Sequence, residues 1–346
     1  MNPSDPARVL VVRLGSLGDL IHALPAVAAL RASWPRAEID WVVERPHAEL
    51  LALVPLLSRV IVMGERNVGG WMSTVRTLRA RHYDMAIDLQ GLVKSAVIAR
   101  LSRARRVVGF DRAALREPAA RFFYTETVQV GEGRHVIDKN LALAASLVAS
   151  GERPGTALRP SELSFPLRRT DSPALDSLRA QGVGDFAVIN PGAAWPNKRW
   201  PPEKFAGVAR AIHANHGWTS VVLWGPGEES VARAIVDQAS GTAVLAPETT
   251  LADLVAIARA ARLFVSGDTG PLHIAGATAT PIVALFGPTT PTRNGPWDDR
   301  DVSISRYESC VCHYKRMCQR PGAWCLDAIT VDEVVSAVTR RLGGAS

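Results

Sequence analysis

The feature that most constrains this 346-residue chain is a rhythm. Short β-rich runs alternate with stretches carrying apolar residues at helical spacing, and the pattern plays twice. In the first half, Val9–Arg13, Ile39–Val43, Val60–Met63, Met85–Leu89 and Arg106–Val108 read as strands, with helices at Pro25–Trp34, Trp71–Arg81 and Leu92–Leu101 between them. Such alternation implies right-handed βαβ crossovers and a parallel sheet covered on both faces, a Rossmann-like domain. His135–Ser150 reads as a long helix. Gly151-Glu152-Arg153-Pro154-Gly155 and the prolines 160, 166 and 173 then mark a linker. After it, strands are expected at Phe186–Asn190, Thr219–Trp224, Leu263–Ser266 and Ile282–Leu285. Helices are expected near Glu203–His216, Glu228–Gln238, Leu251–Ala261, Pro271–Ala277 and Val331–Leu342. At roughly 100–200 residues per domain the length fits two domains, placed at 1–170 and 171–346. Tandem α/β domains of this kind predict a cleft between the carboxyl ends of both sheets, where their ligands bind.

Composition narrows the partners. With 47% hydrophobic and 21% charged residues the chain reads as soluble and globular. The apolar runs are too short for a spanning helix. The N-terminus reads as a first strand and not a signal peptide, so the expected compartment is the cytoplasm. Net charge is +7, unevenly shared: residues 1–170 hold 24 Lys+Arg against 16 Asp+Glu, the rest 16 against 17, giving +8 and −1. The first half therefore steers an anionic partner. Nucleic acid fits poorly, because aromatics are 6% of the chain and no nucleic-acid motif occurs.

Four segments can carry chemistry. Strand one runs into Leu14-Gly15-Ser16-Leu17-Gly18-Asp19, whose glycines allow a tight turn near a helix start. The middle and final glycines of a dinucleotide fingerprint are missing, which disfavours an NAD oxidoreductase. Asp19 can take a proton from an incoming nucleophile or merely satisfy a helix dipole. In Asn190 to Pro201, Lys198 and Arg199 sit on a loop facing the expected cleft, where a cation can hold a diphosphate or simply be solvated. Gly225-Pro226-Gly227-Glu228 follows a strand; its carboxylate suits ribose hydroxyls or a helix first turn. In Ser266-Gly267-Asp268-Thr269-Gly270-Pro271-Leu272-His273 a strand meets a helix opened by Pro271, a ready phosphate site at Thr269 and Gly270. There Asp268 is also a good Asx-turn residue, and His273 a good structural histidine.

Together these segments, with Leu24-Pro25 and Phe286-Gly287-Pro288-Thr289, resemble the bacterial ADP-heptose:lipopolysaccharide heptosyltransferases, glycosyltransferase family 9, in matching order over almost the whole chain. Trp41-Val42-Val43-Glu44, Asp88-Leu89-Gln90-Gly91-Leu92-Val93-Lys94-Ser95 and Arg116-Glu117-Pro118 resemble the heptosyltransferase I branch more than the heptosyltransferase II branch. The resemblance implies the GT-B fold, two Rossmann-like domains facing each other across a cleft. It also implies inverting transfer of L-glycero-D-manno-heptose from ADP-heptose to Kdo-lipid A at the cytoplasmic face of the inner membrane. In those enzymes the residue matching Asp19 is the general base and that matching Lys198 holds the diphosphate. The residue matching Glu228 takes the ribose, and those matching Asp268, Thr269 and Gly270 bind sugar and phosphates; His273 is grouped with them as a donor contact. One departure stands out: Ala193 and Ala194 replace hydroxyl residues common before the lysine loop.

The implied acceptor is rich in carboxylates and phosphates, so Arg66, Lys94, Arg112, Arg116 and Arg121 are the candidate acceptor contacts, with Arg103, Arg105 and Arg106 read as solvated. Peripheral membrane contact is expected through charge. No cofactor is required, and no D-x-D pair is suitably placed for a catalytic metal. The four cysteines, Cys310, Cys312, Cys318 and Cys325, all fall in one short segment. In a reducing compartment they suggest a structural zinc or iron more than disulfides, with free thiols the alternative. Other readings keep the fold with another nucleotide sugar or acceptor, such as the second core heptose or a protein, or make the chain a non-enzymatic nucleotide-sugar binder, against which Asp19 argues.

Overall fold

The structure, a computed structural model, describes residues 5–131, 133, 135–148, 163–318 and 324–343. The chain forms two compact units, 1–168 and 169–346. In the first, β1 (Arg8–Val12), β2 (Glu38–Val43), β3 (Arg59–Val62), β4 (Met85–Asp88), β5 (Arg106–Phe110) and β6 (Glu126–Val128) form one sheet in the order β3-β2-β1-β4-β5-β6. Every pairing is parallel, with Val12 opposite Val42 on one side and Asp88 on the other. β1 lies between neighbours and beneath helices, so Val9–Val12 are wholly buried and the strand is an unbroken apolar run. Its helices are α1 (Leu17–Ser33), α2 (Ala48–Ala52), α3 (Val68–Arg79), α4 (Val93–Leu101) and α5 (Val136–Val148). α5 lies on α1, where Asn140 Nδ2 donates to the His22 carbonyl at 3.0 Å.

α1 begins at Leu17 and carries Pro25 inside it, whereas the sequence suggests a start at Pro25. Proline forfeits one backbone bond there. Burial of Leu20, Ile21, Leu24 and Val27 along the same helix offsets that loss.

The second unit repeats the plan. β7 (Phe186–Asn190), β8 (Thr219–Val222), β9 (Ala243–Leu245), β10 (Leu263–Gly267), β11 (Ile282–Phe286) and β12 (Val302–Ser305) are ordered β12-β11-β10-β7-β8-β9, again all parallel. Around them lie α6 (Pro173–Ala180), α7 (Pro202–His216), α8 (Glu229–Gln238), α9 (Leu251–Ala260), α10 (Gly270–Ala277), α11 (Pro291–Asn294) and α12 (Val331–Gly343). Ile189, Phe205, Val265 and Leu285 belong to its core, where the Trp200 ring meets Phe205 edge-on at 4.9 Å. Pro173, read as linker, instead fills the first turn of α6, capped by Ser172, which accepts from Leu175 N and donates to Asp253. The Gly151–Gly155 stretch, Pro160 and the tail of the helix at 149–150 lie outside the described residues.

Both strand orders are the Rossmann order, reversing direction between β1 and β4 in one unit and between β7 and β10 in the other. Within each unit the loops leaving its two strands flank the switch point, where such sheets bind ligands. Among the described residues no helix is long and apolar enough to cross a membrane.

Candidate active site

At the first switch point, the turn after β1 leads through Gly15 to Asp19 in the first turn of α1. A Cβ on Gly15 would come within 2.8 Å of His47 Nε2, so a larger residue there would have to displace that imidazole. Asp19 Oδ2 accepts from Ser16 N at 3.1 Å and Ser16 Oγ at 3.3 Å, and Oδ1 lies 2.6 Å from Arg13 Nη2. One third of its side chain remains accessible (33%), against 7% for Arg13. Burial holds the His47 imidazole below its ordinary pKa, although Glu44 and Asp19 pull the other way.

From β4 comes Asp88, fully buried and ringed by donors: Gln90 N, Gly91 N, Ser95 Oγ and Tyr124 OH, the last at 2.7 Å. Burial raises its pKa while those bonds oppose the rise. The same loop returns to β1, because Gln90 Oε1 accepts from Leu14 N at 2.7 Å and the Leu89 carbonyl accepts from Arg13 Nη1.

In the second unit, the loops after β7 and β10 build a compact ionic cluster. Asp268 is buried and receives Thr289 Oγ1 at 2.6 Å, Asn294 Nδ2 at 2.7 Å and Lys198 Nζ at 2.5 Å, with His273 Nε2 at 3.7 Å from Oδ1. Burial works against its charge. Hydrogen bonding from His273 and the charge of Lys198 outweigh that and hold the carboxyl well below the usual range. Lys198 also lies over the Trp195 ring, 4.6 Å from its centroid. Thr269 is the N-cap of α10 and Gly270 its first residue, so the helix offers backbone N–H groups beside the cluster. Asn190 at the end of β7 ties the loops together, donating to Ser266 Oγ at 2.9 Å and Thr269 Oγ1 at 3.0 Å.

Glu228 folds back over the neighbouring turn, where Gly225 N donates to its Oε2 at 3.2 Å. A Cβ on Gly192 would overlap the Glu228 carboxylate, which explains the glycine after β7. At the departure noted in the sequence, Ala193 contributes its carbonyl, which accepts from Arg199 Nε at 2.9 Å; Arg199 Nη2 is 4.0 Å from Glu228 Oε1.

Of the five cations assigned to an acceptor, Lys94 and Arg66 share one carboxylate. Glu44 Oε1 is 2.5 Å from Lys94 Nζ and Oε2 is 3.2 Å from Arg66 Nη2. Arg112, Arg116 and Arg121 are exposed, Arg121 making one long bond to the Tyr124 carbonyl. Sequence reasoning assigned no role to Arg13, Glu44, Asn190, Thr289 or Asn294. Glu44, Asn190 and Thr289 lie within the motifs quoted above, but the partners of all five are distant in sequence or lie across a loop, so no local pattern gives their roles.

None of the four cysteines is joined in a disulfide, and the Cys310 and Cys312 Sγ atoms lie 3.5 Å apart. Burial pushes the Cys310 and Cys325 thiols up in pKa. His313, the spare candidate ligand, stacks on Tyr307 and bonds its carbonyl at 2.8 Å. Among the described residues no group of three His, Cys, Asp or Glu side chains is arranged to hold a metal ion. The cysteine segment does meet the Lys198 loop: Asn197, wholly buried beside Lys198, donates to the Lys315 carbonyl at 2.9 Å and approaches Cys312 Sγ at 3.7 Å.

Two Rossmann-like units with polar loops at their switch points are the architecture of a GT-B glycosyltransferase. Residues 71–323 match the profile of glycosyltransferase family 9 (heptosyltransferase). The chain is 30% identical over 327 residues to lipopolysaccharide heptosyltransferase 1 of Pseudomonas aeruginosa, an alignment covering 90% of this chain and 87% of that protein. It is also similar to two solved structures of the E. coli heptosyltransferase WaaC. With ADP, the match covers 98% and 99% of the two chains at 24% identity and a TM-score of 0.75. With ADP-2-deoxy-2-fluoro heptose, it covers 96% and 98% at 25% identity and a TM-score of 0.75. The chain belongs to glycosyltransferase family 9, the heptosyltransferases, and is a glycosyltransferase.

Proposed function

We propose that this enzyme moves L-glycero-D-manno-heptose from ADP-heptose to the Kdo inner core of lipid A with inversion. The C-terminal unit, 171–346, holds the donor, and the N-terminal unit, 1–170, supplies the base and the acceptor contacts. The Lys198–Asp268 pair beside the N-terminus of α10 carries this reading, in a chain similar to a heptosyltransferase solved with ADP-2-deoxy-2-fluoro heptose.

Each group has a task. Glu228 accepts from ribose hydroxyls, and Lys198 with the Thr269–Gly270 amides meets charge building on the diphosphate. Asp268 holds Lys198, with His273 beside the carboxylate, and Asp268 and His273 face the sugar. The acceptor hydroxyl oxygen attacks the anomeric carbon, its proton passes to Asp19, and the bond from that carbon to the β-phosphate oxygen breaks, releasing ADP. Arg66, Lys94, Arg112, Arg116 and Arg121 grip acceptor phosphates and carboxylates, and the +8 charge of residues 1–170 draws the enzyme to the cytoplasmic face of the inner membrane. The cysteine quartet steadies the segment behind Asn197; zinc or iron on its thiolates would tighten that staple, and elemental analysis of purified protein tests for it.

Incubation with ADP-heptose and Kdo-lipid A, followed by mass spectrometry of the lipid, tests the proposal. One added heptose supports it; an unchanged lipid, with transfer to a heptosylated core instead, assigns another acceptor. ADP should raise the melting temperature more than UDP or GDP, since a ligand of the native state stabilises it.

A further inference from the structure

Arg13 is the group that the mechanism leaves unused. It follows β1 directly, is 6% exposed, and its guanidinium joins two elements. Nη1 donates to the Leu89 carbonyl on the loop after β4, and Nη2 reaches Asp19 Oδ1 at 2.6 Å. Its own carbonyl is fixed as well, accepting from Trp41 Nε1 at 2.9 Å. The Leu89 carbonyl is in turn placed by the β4 loop, which Asp88 clamps through Gln90 N at 2.8 Å and Gly91 N at 3.2 Å. An arginine cannot shed its charge at any working pH, and a buried one needs an anion. Asp19 meets that need at one oxygen while Ser16 holds the other, and a third of the side chain stays open to a reactant.

We propose that Arg13 is the positioning residue of the general base: it fixes the Asp19 carboxylate in one orientation and keeps it ionised for the acceptor hydroxyl. This rests on the reading of Asp19 as the base. A fork that bonds a backbone carbonyl and a carboxylate at once sets direction as well as charge, which a point charge on a flexible stem does not. Titratable groups near Asp19 among the described residues include His47, from the turn before α2, and behind it Glu44, itself paired with Lys94 and Arg66. Burial disfavours the charged form of His47, whereas the Arg13 charge does not titrate away.

The test compares R13Q, R13K, D19N and R13Q/D19N for kcat, donor KM and pH profile, with folding checked by circular dichroism and the thermal shift induced by ADP. R13Q should lower kcat about 10²-fold, the usual cost of a misplaced reacting group, with donor KM within about twofold. Its acid limb should move to higher pH, because loss of a neighbouring cation disfavours the carboxylate. R13K should keep the limb in place while losing part of kcat. In the D19N background R13Q should cost nothing more, because the group it acts through is gone. An unshifted limb in R13Q, or full additivity with D19N, overturns the role of Arg13 while leaving the base intact. Wild-type turnover by D19N overturns the base, and Arg13's role with it. Should R13Q not fold, R13K alone decides: an undiminished kcat contradicts the positioning role.

Discussion

Lys198 Nζ and Asp268 Oδ2 stand 2.5 Å apart, with 14% and 4% of their side chains exposed, so the cation proposed for the diphosphate is paired with a buried carboxylate. Fixed charge of this kind favours the transition state, since no reorganisation is needed as ADP departs. Lys198→Ala should cost about 10²–10³ in kcat. It also strands a buried carboxylate, a loss of about 3 kcal/mol in unfolding free energy. Lys198→Ala/Asp268→Asn should recover much of that stability but none of the activity. Denaturant unfolding beside a transfer assay checks both; equal instability of the single and double variants contradicts the pairing.

Acid should expose the same carboxylate. Asp268 is held below the ordinary value of 3.8. The unfolded chain therefore binds its proton first, and this contribution to stability is present above about pH 4 and lost as pH falls further. Urea unfolding of wild type and Asp268→Asn across pH 6 to 3 should give curves that converge toward the acid end. Parallel curves contradict the assignment.

The Gly192–Glu228 contact makes a separate prediction. Gly192→Ala should push the Glu228 carboxylate off its seat by Gly225 and weaken ADP binding about tenfold, the scale of one hydrogen bond to a charged group. Glu228→Gln should do the same, and both should blunt discrimination against an ADP analogue lacking ribose hydroxyls. Calorimetric titration reads this directly. Unchanged affinity in Gly192→Ala removes Glu228 from the nucleotide site.

Much of this was legible in the sequence because central parallel strands are buried on both faces and announce themselves as apolar runs. The candidate groups follow such strands: Asp19 after β1, Lys198 after β7 and Asp268 after β10 at the switch points, and Glu228 after the neighbouring β8. The strands that escaped notice, β6, β9 and β12, are edge strands of three or four residues, too short for a period to emerge. The ion pairs were equally hidden. Glu44 meets Arg66 and Lys94 from 22 and 50 positions away, and the Arg13 guanidinium is shared with Leu89, 76 positions on. Such contacts exist only once the sheet has formed, which is why Arg66 and Lys94 read as acceptor contacts with no sign of their shared carboxylate.

The most direct test of the account is turnover by Asp19→Asn, measured beside ADP affinity. Losing the carboxylate should slow heptose transfer by about 10²–10⁴, the value of general base catalysis, while ADP binds as tightly as before. Transfer at the wild-type rate, or a loss explained wholly by weaker ADP binding, would contradict it.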